Sequence, residues 1–383
     1  MTPSELGSRL AALEQAGRLR RRPLLDGPQQ PACQLDGAPT LAFASNDYLG
    51  LAAHPRLAAA IEAGLARYGS GAGASHLVAG HSRAHAEAEA AFADYAGHEA
   101  ALLFGSGYSA NLAVITSLAG RGDAVFGDRL NHASLNDAAR LSRATFRRFR
   151  HNDPDHLEYL LKNTPAASRL IAVDAIYSMD GDEAPLEALL ALAERHDAWL
   201  YVDDAHGFGI RGGGRGSLAG AGLESPRLIH LATLGKAAGL YGACVGGSRL
   251  LVDWLVNTAR TYIYTTAQPP ALAHAVPESL ALIADADDRR QKLVGYIHHL
   301  QQRLHSLGMQ LIPSRSPIQA LIIGANTQAL ACAERLRAQG IRVPAIRPPT
   351  VPEGTARLRI SLSAAHRPED IERLAEALHQ SLL

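Results

Sequence analysis

Lysine is nearly absent from this chain of 383 residues: of 37 basic residues only Lys162, Lys236 and Lys292 are lysines, and the rest are arginines. Chemistry that needs a side-chain amine is therefore confined to three positions. Cysteine is as scarce. Cys33, Cys244 and Cys332 are odd in number, far apart and without metal-ligand spacing, which excludes a disulfide framework, gives no metal site and fits a reduced, cytoplasmic setting. Net charge is lacking too, with 37 basic against 37 acidic residues, so there is no electrostatic case for nucleic acid or an anionic membrane as partner. No run approaches the roughly 20 apolar residues of a membrane span, and Thr2 to Arg22 contains no apolar signal core. What remains, 47% hydrophobic and 19% charged residues, is the balance of an ordinary enzyme long enough for about two domains.

Periodicity gives the organisation. Leu6, Leu10 and Leu13 mark an amphipathic helix, and Pro23 to Pro39 is loop-rich, so residues 1–45 read as a helix and arm. Pro55 starts a helix carrying Leu57, Ile61 and Leu65, and an Ala-rich helix from about Ala84 ends at Gly97. Short apolar runs then follow at Ala100 to Phe104, Ala124 to Phe126, Leu170 to Val173, Trp199 to Val202 and Leu228 to Ala232. Their length and near-continuous hydrophobicity predict strands buried on both faces, and helical patterns such as Pro185 to Arg195 lie between most of them. The rhythm predicts an α/β domain over residues 46–275, with a mainly parallel central sheet and helices on both faces. Ligands should gather at the strands' carboxyl ends. Residues 276–383 change character: long helical patterns to about Leu307, strands at Gln310 to Ile312, Ala320 to Ile323, Ile341 to Ile346 and Arg357 to Ser363, and a final helix with Ile371, Leu374 and Leu378. That predicts a smaller α+β C-terminal domain.

Three fragments converge on the predicted carboxyl edge. Asp203-Asp204-Ala205-His206-Gly207 follows one strand, Thr233-Leu234-Gly235-Lys236 follows another, and Gly105-Ser106-Gly107-Tyr108 opens a helix after a third. These are the residue types that pyridoxal phosphate needs. A lysine amine can form a Schiff base with its aldehyde, a carboxylate can hold its pyridine nitrogen protonated, and an imidazole can hydrogen-bond its phenolic oxygen. A Gly-containing turn at a helix start offers N–H groups to a phosphate. Lys162 and Lys292 lie in charged helical patterns that predict solvated faces, which leaves Lys236 among small residues. Arg357 and Arg359 alternate with apolar residues, so both should project from one strand face; they suit a substrate carboxylate, or else simply face solvent. Gly207 to Gly212 satisfies G-x-G-x-x-G, but a glycine loop rather than an apolar helix follows, and no acidic residue stands at the expected distance.

The chain resembles the α-oxoamine synthases, pyridoxal phosphate enzymes of fold type I that join an amino acid to an acyl thioester with loss of carbon dioxide. The matching segments are Ser45 to Gly50, Ser106 to Asn111, Asn131 to Ser134, Ser178 to Asp182, Val202 to Gly207 and Thr233 to Lys236. Within the family, Arg347 to Arg359 and His151-Asn152-Asp153 look most like the members that condense L-alanine with a pimeloyl thioester, carried on coenzyme A or an acyl carrier protein, toward biotin; glycine-using members are the near alternatives. The resemblance implies that Lys236 holds the cofactor, Asp203 pairs with its pyridinium, His206 bonds its phenolic oxygen and His132 stacks on the ring. It implies phosphate contacts from Gly107, Tyr108 and Thr233, with Thr265 reaching across from a partner subunit of a homodimer, and Ser178 lining the site. Arg359 would bind the amino-acid carboxylate, Arg20 and Thr350 the acyl substrate, and Asn46 would lie near the reacting centre. Departures at Ala72, Ala74 and His76, and at Ala238 and Leu240, bear on acyl-chain fit and loop mobility.

Two other classes compete. A catalytically silent partner subunit would show no cofactor absorbance, and a nicotinamide-dependent dehydrogenase would rest on Gly207 to Gly212; Lys236, Asp203 and His206 together argue against both.

Overall fold

The computed structural model describes residues 1–382, which fall into two compact units. The larger comprises Leu51–Tyr177 and Glu183–Asp287; the other joins Met1–Gly50, Ser178–Asp182 and Asp288–Leu383, so the N-terminal arm folds in one unit with the C-terminal third.

The larger unit is organised by a seven-stranded sheet whose strands, numbered along the chain, are β1 (Ala100–Phe104), β2 (Ala124–Asp128), β3 (Thr145–Phe149), β4 (Arg169–Asp174), β5 (Ala198–Asp203), β6 (Leu228–Thr233) and β7 (Ala243–Gly247). Their spatial order is β1-β7-β6-β5-β4-β2-β3. The four pairings from β6 through β5, β4 and β2 to β3 are parallel, and β7 runs antiparallel to both β6 and β1. Six strands therefore point one way, with their carboxyl ends along one edge. Successive residues feed two cores: Leu170, Ala172 and Tyr201 pack on one side, and Ile171, Val173, Leu200 and Val202 on the other. This is why the strands read as continuous apolar runs. The sequence pattern did not reveal β3 or β7. Thr145–Phe149 is an edge strand with two exposed arginines, and Ala243–Gly247 contributes two glycines where bulk would normally signal a strand.

In the other unit, a three-stranded antiparallel sheet sets Ala356–Ser361 between Ile318–Gly324 and Ala345–Ile346, and a four-stranded sheet pairs Ile341–Arg342 with Ala38–Ala42. The expected strand Ile341 to Ile346 is thus two short strands in different sheets. Pro344 lies between them, lacks an N–H and gives its carbonyl to Arg359. The expected strand Gln310 to Ile312 is extended but unpaired in ladder terms, held by one bond from the Ile312 N–H to the Ala320 carbonyl. Helix Pro3–Gln15 forms as expected, yet it buries no residue, and Leu6, Leu10 and Leu13 all stay exposed.

Two helical glycines test packing with opposite signs. A Cβ on Gly64 would lie 2.8 Å from the Ala271 Cα and 3.0 Å from its carbonyl, because helix Pro55–Tyr68 meets helix Pro270–His274 backbone to backbone there. A Cβ on Gly295 would meet nothing within 4 Å. Gly295→Ala should raise stability by about 0.5–1 kcal/mol, and Gly64→Ala should lower it by about 1–3 kcal/mol. Denaturant midpoints moving in the same direction would contradict this packing.

Candidate active site

At the carboxyl edge of the sheet, Lys236 sits three residues past β6 and His206 three residues past β5, with Lys236 Nζ 2.9 Å from His206 Nε2. Lys162 and Lys292 are both exposed, and Lys162 pairs with Glu158 on its own helix. The turn that carries His206 is anchored by Asp204. This buried carboxylate accepts the Ser217 N–H and hydroxyl, each at 2.6 Å, and lies 3.2 Å from His230 Nε2.

Asp203, the last residue of β5, is buried, and its oxygens accept the Asn111 amide at 2.8 Å and the Ala205 N–H at 3.1 Å. Among the described residues no cation lies within ion-pair distance of it. Asn111 is the hub of this network: its amide also donates to Ser134 at 2.8 Å, and its carbonyl accepts the Tyr201 hydroxyl at 2.6 Å. Ser134 in turn lies 2.6 Å from His132 Nδ1. Sequence reading gave no role to Asn111, Ser134 or Tyr201. Asn111 and Ser134 stand inside the matched segments, and the polar hydroxyl of Tyr201 in an apolar strand was the available signal.

His132 caps helix Ala133–Leu141 and is exposed; desolvation at its ring lowers its pKa, Lys236 pushes the same way and Asp203 opposes. Its backbone N–H donates to Asp174 at 2.7 Å. Asp174 ends β4 in register with Asp203 at the end of β5. Burial first, and then the neighbouring Asp203 charge, pushes the Asp174 carboxyl well above the usual range, so it is the member of the pair that keeps its proton.

The helix after β1, Gly107–Leu118, is capped by the Ser106 side chain on the Ser109 N–H, which leaves the N–H groups of Gly107 and Tyr108 without intrahelical acceptors. A Cβ on Gly107 would fall 2.8 Å from Thr233 Cγ2, so only glycine lets this helix start approach β6 so closely. Thr233 Oγ1 lies 3.4 Å from the Ala205 carbonyl, and the Tyr108 hydroxyl donates to Asp137 at 2.7 Å. An amine, a buried unpaired carboxylate, an imidazole and a helix start ready for an anion are the donor set that pyridoxal phosphate requires, and these residues fit it. Thr265 is exposed, outside this network. The glycines from Gly207 to Gly212 form turns followed by the 3-10 segment Gly212–Gly214, with no apolar helix to complete a dinucleotide fingerprint.

In the other unit, Arg357 and Arg359 are 4% and 6% exposed, which overturns the solvent-facing alternative. Their roles diverge. Arg357 is paired with Asp180, whereas Arg359 donates to the Ser178 carbonyl at 2.6 Å, to Ser361 Oγ at 2.8 Å and to Asn46 Oδ1 at 3.2 Å. Among the described residues Arg359 has no carboxylate partner. Arg20 and Thr350 are both exposed and joined by a 3.1 Å hydrogen bond. His151 and Asn152 instead bind Asp128, at 2.9 Å each, and Asp153 caps helix Pro154–Asn163, so that segment braces the end of β2.

Residues 38–378 match the model of the family described as aminotransferase class I and II. The chain is 60% identical to an 8-amino-7-oxononanoate synthase of Chromobacterium violaceum, over 99% of this chain and 98% of that one, and 54% identical to one of Aromatoleum aromaticum, over 99% of each. The chain belongs to the 8-amino-7-oxononanoate synthase family. Its fold matches Sphingomonas wittichii serine palmitoyltransferase with a TM-score of 0.93 at 32% identity, over 99% and 96% of the two chains. It also matches a Francisella tularensis 8-amino-7-oxononanoate synthase at 0.78 and 29%, over 89% and 97%. The fold is thus that of fold-type I pyridoxal phosphate enzymes, and no helix among the described residues is long and apolar enough to cross a membrane.

The protonated Asp174 has a stability signature. Between the ordinary value of 3.8 and its raised folded value, the native protein holds a proton that the unfolded chain has lost, so stability falls as pH rises through that window. Asp174→Asn should remove this contribution, leaving a flatter dependence of the apoprotein's Tm on pH above about 4; an unchanged slope would show that Asp174 ionises normally.

Proposed function

We infer that this enzyme condenses L-alanine with a pimeloyl thioester to give 8-amino-7-oxononanoate, carbon dioxide and the free thiol, a step of biotin synthesis. The observation that carries the reading is the pairing of a single available lysine, 2.9 Å from His206, with a buried Asp203 left without a cation, at the sheet edge of a chain 60% identical to such a synthase.

Pyridoxal phosphate, when bound, supplies an electron sink for the negative charge that develops at the alanine α-carbon. Lys236 is the residue that would hold the cofactor and, as a free amine, take the α-proton on Nζ and later return one to the product, with His206 orienting it. Asp203, held by Asn111 and the Ala205 N–H, keeps the pyridine nitrogen protonated. A neutral His132 can stack on the ring without repelling the pyridinium. The N–H groups of Gly107 and Tyr108, with Thr233, would take the phosphate, and Thr265 would add a contact from the partner in a homodimer.

Arg359, a buried guanidinium with no carboxylate of its own, is proposed to receive the alanine carboxylate, with Asn46 and Ser178 fixing its fork. That carboxylate is the group lost as carbon dioxide after carbon–carbon bond formation. Arg20 and Thr350 are proposed for the pimeloyl chain, whose thiol carrier is coenzyme A or an acyl carrier protein.

The test is an absorbance titration of the holoenzyme with L-alanine and with glycine, followed by each pimeloyl thioester and mass detection of the amino-keto acid. A spectral response to alanine and a decarboxylated product are expected. A response to glycine alone would move the assignment to a glycine-using relative, and no cofactor absorbance would revive the silent-subunit reading. Lys236→Ala should lower turnover by about 10³-fold or more, and Arg359→Ala should raise the alanine KM by about 100-fold while the thioester KM changes little. Equal changes in both KM values would remove Arg359 from the carboxylate role. Sedimentation of the active enzyme as a monomer would refute the shared-site dimer.

A further inference from the structure

Three histidines that are not among the residues assigned to the cofactor converge. His76 opens the π-helical turn His76–Gly80, His81 follows it directly, and His85 lies in the first turn of helix Arg83–Ala96. The wide π turn places positions five apart on one side, and such turns are enriched at functional sites. His76 Nδ1 and His81 Nδ1 are 3.1 Å apart, and one nitrogen from each of the three rings lies within 4.8 Å of the other two. Two nitrogens bound at about 2.0–2.1 Å to a tetrahedral zinc ion would be separated by roughly 3.3 Å, close to the first of these spacings.

The surroundings resemble the outer shell of a metal site. His85 Nε2 lies 2.9 Å from the Gln268 carbonyl, which can only accept, so that nitrogen carries the proton and the Nδ1 lone pair is left for other partners. Ser82 supplies them in the metal-free protein, its N–H at 3.0 Å and its hydroxyl at 2.9 Å. The His76 ring is fixed by stacking on Tyr262 at 4.6 Å with 11° between planes. His76 and His85 are buried, while His81 is exposed and touches both of their rings.

We propose that His76, His81 and His85 form a binding site for one divalent transition-metal ion of the zinc or nickel class, with water or the Ser82 hydroxyl as fourth ligand. Bound metal would clamp the π turn to the start of helix Arg83–Ala96. The site uses none of the groups assigned to substrate or cofactor, so it does not depend on the proposed reaction.

Chelator-treated, gel-filtered holoenzyme would be titrated calorimetrically with Zn²⁺ alone and spectroscopically with Co²⁺ alone. One Zn²⁺ per chain and cobalt ligand-field bands of a tetrahedral site are expected. His81→Ala should weaken Zn²⁺ binding by about tenfold or more, and His81→Cys should restore it, since a thiolate is also a ligand; a general loss of folding would not be rescued in that way. His81 is exposed, so both variants should fold. Stoichiometry well below one, or equal affinity in wild type and His81→Ala, would overturn the site.

Discussion

The end of β5 carries a carboxylate that has been taken out of water and given no cation. A buried charge of this kind costs several kcal/mol unless hydrogen bonds hold it, and much of the active edge can be understood as the set of groups that do so. Asn111 reaches Asp203 from helix Gly107–Leu118, which fixes that helix start beside Thr233. The Ala205 N–H turns the chain back over Asp203 and delivers His206 to Lys236. Ser134 ties His132 to the same amide. One unneutralised charge thus sets the positions of the groups expected to grip the ring, the phosphate and the reacting amine.

The other unit repeats the device with the opposite sign. Arg357 and Arg359 share a strand face and a similar degree of burial, yet Asp180 neutralises the first, while the second meets neutral oxygens, those of Ser178, Ser361, Asn46 and Tyr48. A guanidinium so placed lacks the partner that would stabilise it in an apoprotein. That suits it to the substrate carboxylate proposed for it, and the held fork would lower the ordering cost when that anion binds.

How far the sequence discloses this depends on what each residue advertises. The five apolar runs of the central sheet are legible because strands buried on both faces need uninterrupted hydrophobicity, and Lys236 is legible because only two other lysines compete with it. β7 is not, since Cys244, Gly246 and Gly247 gain their place from packing against flanking strands rather than from their own bulk. The break at Pro344 is present in the sequence, but the assignment of its two sides to different sheets is a tertiary outcome. At the site, charged and nucleophilic residues were visible and their supports were not. Asn111 is an ordinary helical asparagine until Asp203 and Tyr201 are brought to either side of it. The fate of Arg359 turned on whether a carboxylate would stand opposite, which strand alternation does not encode.

The register of β4 with β5 bears on how Asp203 would serve the pyridinium proposed for it. Asp174 and Asp203 end adjacent parallel strands side by side, so the charge of one disfavours ionisation of the other. Burial, and then the neighbouring Asp203 charge, raises the pKa of Asp174, and its few hydrogen bonds do little to offset this. Asp203 takes a side-chain amide and a backbone N–H, whereas Asp174 has one backbone N–H, from His132, and the deeper burial. The proton therefore stays on Asp174. The His132 contact adds a second consequence: the segment bearing the imidazole proposed to stack on the ring is anchored to the neutral member of the pair.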